Sequence, residues 1–317
     1  MKTPVFKGSC VAIVTPFKND FVDFEKFGEL IEEQLSEGTS AIVVCGTTGE
    51  ASTQSIPEHL ATVEYCIKQV KGRVPVIAGT GSNDTAHALL MSQSAEKSGA
   101  DALLMVTPYY NKCSQAGLIK HYTYIADRVN IPIVLYNVPS RTGLSFTADT
   151  YYELSKHPRI NGTKEASSNM GLIAATREKC GDDLNIWSGN DSEILPIMSM
   201  GGLGVISVAA NIIPGEIAKI CELFLNSDIA GSQELFLKYI PLMDALFMDV
   251  NPIPVKTAMN IMGKKVGHLR MPLCDMSDSQ VEKLKGVMIR HHIILQRCLK
   301  VDIDEAIVSD GGKDENI

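Results

Sequence analysis

The chain has 317 residues, 45% of them hydrophobic and 21% charged, which excludes a disordered, collagen-like or low-complexity protein and leaves room for a large core. Twenty-nine Lys and Arg stand against 37 Asp and Glu, for a formal charge of -8. The basic residues are scattered rather than clustered, which argues against nucleic acid or an anionic membrane as the partner.

In chain order, residues 1–16 carry two lysines but no uninterrupted apolar stretch with a small-residue cleavage site, so no secretory signal is read and the cytoplasm is the expected location. The first β-branched apolar run is 10–14. Residues 24–37 then set Phe24, Phe27, Leu30, Ile31 and Leu35 at helical spacing, closed by Gly38 as a C-cap. Further apolar runs follow at 41–44, 74–78, 102–106, 131–136 and 205–208, with a helical stretch at 85–98 before Gly99. Two less apolar segments, 160–164 and 185–188, fall where the spacing demands strands. Runs of this kind belong to parallel strands buried on both faces. Eight strand–helix units, complete by about residue 225, predict a (β/α)8 TIM barrel; an open doubly wound sheet is the alternative. Beyond Asn226 helical patterns take over at 229–247, 254–262 and 279–299. The predicted division is a catalytic barrel at 1–226 and a small helical C-terminal domain at 227–317, with a disordered tail from about 309. No apolar run reaches membrane-spanning length, residues 203–213 being too short.

The active site of a parallel barrel lies at the C-terminal ends of its strands. The second run exits into Gly46-Thr47-Thr48-Gly49-Glu50, a turn able to offer backbone N–H groups to a small anion, or simply a turn in which Thr48 caps a helix. The fourth exits into Thr107-Pro108-Tyr109-Tyr110, whose tyrosines equally suit packing or an interface. The fifth exits into Tyr136-Asn137-Val138-Pro139-Ser140-Arg141-Thr142-Gly143, where Arg141 is either a solvated charge or a bidentate grip on a carboxylate. Lys164 ends the sixth. A lysine there is either an ordinary surface charge or, if desolvated by the barrel, a neutral amine able to form a Schiff base with a ketone. Lys256, in Asn251-Pro252-Ile253-Pro254-Val255-Lys256, is a rival amine, set in the helical part away from any strand exit. The eight cysteines form no C-x-x-C pair, the histidines no H-E-x-x-H, and Gly79-Thr80-Gly81-Ser82-Asn83-Asp84 lacks the third glycine of a dinucleotide fingerprint. No metal and no external cofactor are therefore expected.

Taken together, the motifs at 46–50, 107–110, 136–143, Lys164-Glu165-Ala166, Gly204-Val205-Ile206-Ser207-Val208 and 251–256 resemble the dihydrodipicolinate synthase family over residues 5–297. That resemblance implies a pyruvate-dependent class I lyase on a (β/α)8 barrel, a homotetramer built as a dimer of dimers, or a homodimer. It makes Lys164 the Schiff-base lysine, Tyr136 its proton relay through Thr47, and Tyr110 a residue lent by the neighbouring subunit. Thr48 would hold the pyruvate carboxylate and Arg141 that of L-aspartate 4-semialdehyde, with the carbonyls of Gly189 and Ile206 completing the pocket. Thr163 stands where the family usually has Ile, and Ser167 where Thr is common. N-acetylneuraminate lyase and sugar-acid aldolases share the lysine and tyrosine but lack the Ser-Arg-Thr-Gly segment; a retired, binding-only barrel is the remaining alternative. An L-lysine effector site maps to Ala51, Ser52, Ile56, His59, Asn83, His87 and Tyr109. His87 replaces the Glu usual in lysine-sensitive members, so weak or absent feedback inhibition is expected.

Overall fold

The computed structural model describes residues 2–294. Eight parallel strands close into a barrel: β1 Gly8–Ala12, β2 Ala41–Val44, β3 Val76–Gly79, β4 Ala102–Val106, β5 Ile133–Asn137, β6 Ile160–Glu165, β7 Asn185–Ser188 and β8 Gly204–Ser207, with β8 pairing back to β1. The (β/α)8 architecture is therefore present, and the open sheet is not. Side chains alternate about each strand as a pleat requires. Cys10, Ala12, Ala41, Val43, Ile77, Leu104, Val134, Tyr136, Trp187 and Ile206 fill the interior. Val11, Ile42, Val44, Ala78, Leu103, Met105, Ile133, Leu135 and Val205 face the helices. Burial on both sides is why the strands read as apolar runs rather than as alternating ones.

Strand ends differ from the apolar runs for identifiable reasons. β1 stops at Ala12 rather than Val14, because the Val14 amide donates to the Asn211 side chain at 3.1 Å. β8 stops before Val208, whose amide donates to Asp191 Oδ2 at 3.0 Å. β3 and β5 begin just after Pro75 and Pro132, which have no N–H to give a ladder. A small hairpin, Phe17–Lys18 with Phe21–Val22, lies outside the barrel. Its turn residues Asn19 and Asp20 both have positive φ, as a two-residue type I′ turn demands.

Around the sheet run α1 Phe24–Ser36, α2 Ile56–Val70, α3 Thr85–Ser98, α4 Gln115–Ala126, α5 Ala148–Ser155, α6 Met170–Cys180, α7 Ile194–Ser199 and α8 Pro214–Leu225. The side chains of Asp23, Ser55, Asp84, Ser114, Thr147 and Asn169 cap the first six. Then come α9 Ile229–Ala245, α10 Ile253–Ile261 and α11 Asp278–Arg290. Phe236, Leu242, Met243, Val255, Met259, Leu284 and Met288 from these helices share one hydrophobic cluster with the barrel's outer layer. Arg270 adds a bidentate pair to Glu58 of α2, both bonds 2.6 Å. The helix expected at 279–299 stops at Arg290 with His291 as its C-cap, so 291–294 are not helical, while 295–299 and the tail expected at 309–317 lie outside the described residues. No helix among the described residues is long and apolar enough to cross a membrane.

Candidate active site

Tyr136 and Lys164 are Cα partners across β5 and β6, so the pleat sends both side chains into the barrel near its C-terminal mouth. Both are buried, Lys164 at 5% exposure and Tyr136 at 7%, and the lysine Nζ lies 4.5 Å from the centroid of the tyrosine ring. Gly189, just past β7, closes the third side. A Cβ there would stand 3.1 Å from Lys164 Cε, 3.0 Å from the Glu165 carbonyl and 2.8 Å from Ala166 Cβ, so the close approach requires glycine. Ile206 is fully buried in the same interior cluster.

β6 is held from behind by polar contacts. Glu165 faces outward, accepting from Tyr151 Oη, from Asn137 Nδ2 at 3.0 Å and from Ser167 Oγ at 2.7 Å. Burial pushes its carboxyl above the usual range, and those hydrogen bonds oppose the rise. Thr163 Oγ1 pairs with Tyr151 Oη at 3.1 Å, and Ser167 donates to Glu165, so the two positions that depart from the usual family residues are both engaged in this network. On the far side Asp191 Oδ2 accepts from Val208 and Ala209 amides at 3.0 and 2.9 Å. Burial raises the Asp191 pKa, and the hydrogen bonds from Ser207, Ala209 and Val208 oppose the rise.

The loop after β2 binds itself through the amides of Gly49, Glu50 and Ala51, which donate to Gly46 and Thr47 carbonyls. Among the described residues the amides of Thr47 and Thr48 have no acceptor and are left as the turn's donors. Thr48 caps no helix, since Ser55 caps α2. It is buried, and its hydroxyl instead accepts from Asn251 Nδ2 at 3.0 Å. The main-chain oxygen of Asn251 in turn accepts from Arg141 Nη2 at 3.0 Å. Thr48 and Arg141 are thereby joined through one residue of the helical segment, a link that local patterns at either end do not reveal.

Lys256, set by the sequence pattern away from any strand exit, is instead buried against two of them. Its ammonium donates to Glu50 Oε1 at 2.7 Å, to the Thr15 carbonyl at 3.3 Å and to the His268 carbonyl at 2.7 Å. All three N–H groups are taken, which suits a structural staple rather than a nucleophile.

Tyr110 is not brought to Lys164. It is 92% exposed, with φ of +69°, a left-handed conformation costly for an aromatic residue. A cavity of about 250 Å³ runs between the exits of β2, β3 and β4, lined by Thr47 and Tyr136 and by Ala51, Ser52, Ile56, His59, His87 and Tyr109. Asn83 is near this group without lining it; its carbonyl accepts from Asn111 at 2.9 Å. Burial lowers the pKa of His59, whose Nε2 contacts the Gly79 carbonyl at 2.9 Å.

A closed parallel barrel with a buried lysine and tyrosine side by side in its mouth defines a class I aldolase-type lyase. Residues 5–290 match the dihydrodipicolinate synthetase family. A 4-hydroxy-tetrahydrodipicolinate synthase of Thermoanaerobacter sp. (strain X514) is 54% identical over 292 residues, covering 92% of this chain and 98% of that protein. The crystal structure of dihydrodipicolinate synthase from Aquifex aeolicus superposes with a TM-score of 0.90 at 41% identity, covering 92% of this chain and 100% of that one. A monomeric dihydrodipicolinate synthase variant does so at 0.90 and 40%, covering 92% and 98%. This chain belongs to the dihydrodipicolinate synthetase family.

Proposed function

We propose that Lys164 is the amine through which this chain condenses pyruvate with L-aspartate 4-semialdehyde to 4-hydroxy-tetrahydrodipicolinate, a step of lysine and diaminopimelate biosynthesis. The observation that carries the reading is a lysine buried in the barrel mouth against the ring of Tyr136.

The neutral amine of Lys164 adds to the pyruvate ketone to give a carbinolamine. Loss of water, with Tyr136 passing the proton, leaves an iminium. That cation withdraws electrons from C3, which sheds a proton to become an enamine and attacks the aldehyde carbon. Attack of the substrate's own amino group on the former ketone carbon closes the ring and releases Lys164 unchanged, so no external cofactor is needed. Thr48 Oγ1 with the amides of Thr47 and Thr48 suits the pyruvate carboxylate. Arg141 suits the carboxylate of the aldehyde, and the carbonyls of Gly189 and Ile206 complete the pocket. Tyr110, exposed and strained on one chain, gains a role only if it enters a neighbour's site beside Thr47, so the working assembly is a homodimer or a homotetramer built from such dimers. A cytoplasmic setting belongs to the same reading, supported by biosynthetic relatives.

The cavity formed with Ala51, Ser52, Ile56, His59, His87 and Tyr109, beside Asn83, is the place for an L-lysine effector. None of its lining residues carries a carboxylate, and Glu50 is already committed to Lys256, which supports weak lysine inhibition. The catalytic reading is tested by initial rates in both substrates. Lys164→Arg, always protonated, is expected to be inactive, and Tyr136→Phe slower by about 100- to 10,000-fold. Wild-type-like turnover in Lys164→Arg overturns it.

A further inference from the structure

We propose that Asn251 is a positioning residue for the ketoacid: by donating its side-chain N–H to Thr48, it leaves the threonine proton free to point at the pyruvate carboxylate. A threonine hydroxyl has one proton to give and two lone pairs. Accepting 3.0 Å from Asn251 Nδ2 occupies a lone pair, so Thr48 arrives at the substrate as a donor, the role a carboxylate needs. Both groups are buried, which fixes the geometry and shields it from competing water. Asn251 Oδ1 is buried with no partner among the described residues. Turning the amide over would instead orphan a buried N–H, the rarer condition, and would spend the Thr48 proton on Asn251. The proposal rests on Thr48 as the pyruvate contact.

Asn251 sits between α9 and α10, and its main-chain oxygen, not its side chain, accepts from Arg141. Side-chain variants therefore act on Thr48 alone, and the two substrates separate the roles. Full-length Asn251→Ala should raise KM for pyruvate about 3- to 10-fold, as expected for losing the neutral hydrogen bond that orients the Thr48 hydroxyl, while KM for the aldehyde stays within about twofold. Asn251→Asp keeps the shape and should be worse, because an ionised carboxylate draws the Thr48 proton to itself and repels the ketoacid. If Asn251→Ala does not fold, Asn251→Asp decides alone. In a Thr48→Val background, Asn251→Ala should change pyruvate KM by less than about twofold, since the group it orients is gone. If Thr48→Val itself leaves pyruvate KM unchanged, the Thr48 reading falls and takes this proposal with it. If Thr48→Val raises that KM but neither Asn251 variant does, or both substrates suffer equally, the Asn251 proposal alone is overturned.

Discussion

Removing the Lys256 ammonium should sharply lower the stability of the fold. The Glu50 and Lys256 side chains are each 1% exposed, and the ammonium spends its three protons on Glu50, Thr15 and His268. Glu50 Oε2 accepts from the Arg270 amide at 3.0 Å, so the carboxylate is also fully engaged. Lys256→Met leaves a charged carboxylate and two carbonyls buried without their donor, and one-sided loss of a buried pair costs about 3–5 kcal/mol. Glu50→Gln combined with Lys256→Met removes both charges while keeping an acceptor for Arg270, so it should lose clearly less than the sum of the single variants, the residual cost being that of the Thr15 and His268 carbonyls left without a donor. Urea unfolding of the wild type, both single variants and the double variant measures this coupling. A loss under about 1 kcal/mol in Lys256→Met, or a double variant as damaged as the sum of the singles, refutes the staple.

His121 is buried, with its pKa pushed down to about 4 by desolvation, so the folded chain binds fewer protons than the unfolded chain between about pH 4 and 6.5. Stability should fall through that window as pH drops, by up to about 3 kcal/mol, and His121→Gln should show a shallower loss in unfolding at pH 7 and pH 4.5. Gly189→Ala should fold yet lose about tenfold or more in kcat/KM, because its Cβ displaces Lys164 and Ala166; unchanged kinetics would refute that crowding. Tyr110→Phe should reduce turnover by about 100- to 10,000-fold while sedimentation shows assembly intact, and a fully active monomer would contradict its role across a dimer. Initial rates across L-lysine concentrations should place half-inhibition at about a millimolar or above.

The barrel is legible in the chain where strands are lined by apolar residues on both faces, as in β2, β4 and β5. β6 is less so. Its inward positions go to Gly162 and Lys164, the first because a Cβ would meet the Asn185 carbonyl at 2.4 Å and the Trp187 ring at 2.6 Å. Its outward positions Thr163 and Glu165 are polar because they bond to Tyr151. A register shift between Ile133 and Val134 opposite β6 blurs the pattern further. Strand ends are set by Asn211 and Asp191, which lie far along the chain from the amides they bind or across a neighbouring strand, and no local pattern encodes that. The same holds for the site. Lys164 and Tyr136 stand out by their strand-exit positions, whereas the link from Asn251 to Thr48 spans 203 residues of sequence. Likewise Lys256 reads as a helix residue, and only the fold brings it to Glu50.

The central claim is a covalent one, and borohydride reduction in the presence of pyruvate tests it most directly. Mass mapping of the digested, full-length protein should find one reduced pyruvate adduct per chain, on the peptide containing Lys164, and Lys164→Ala should carry none. An adduct on Lys256, or no adduct on the active wild-type chain, would contradict the account.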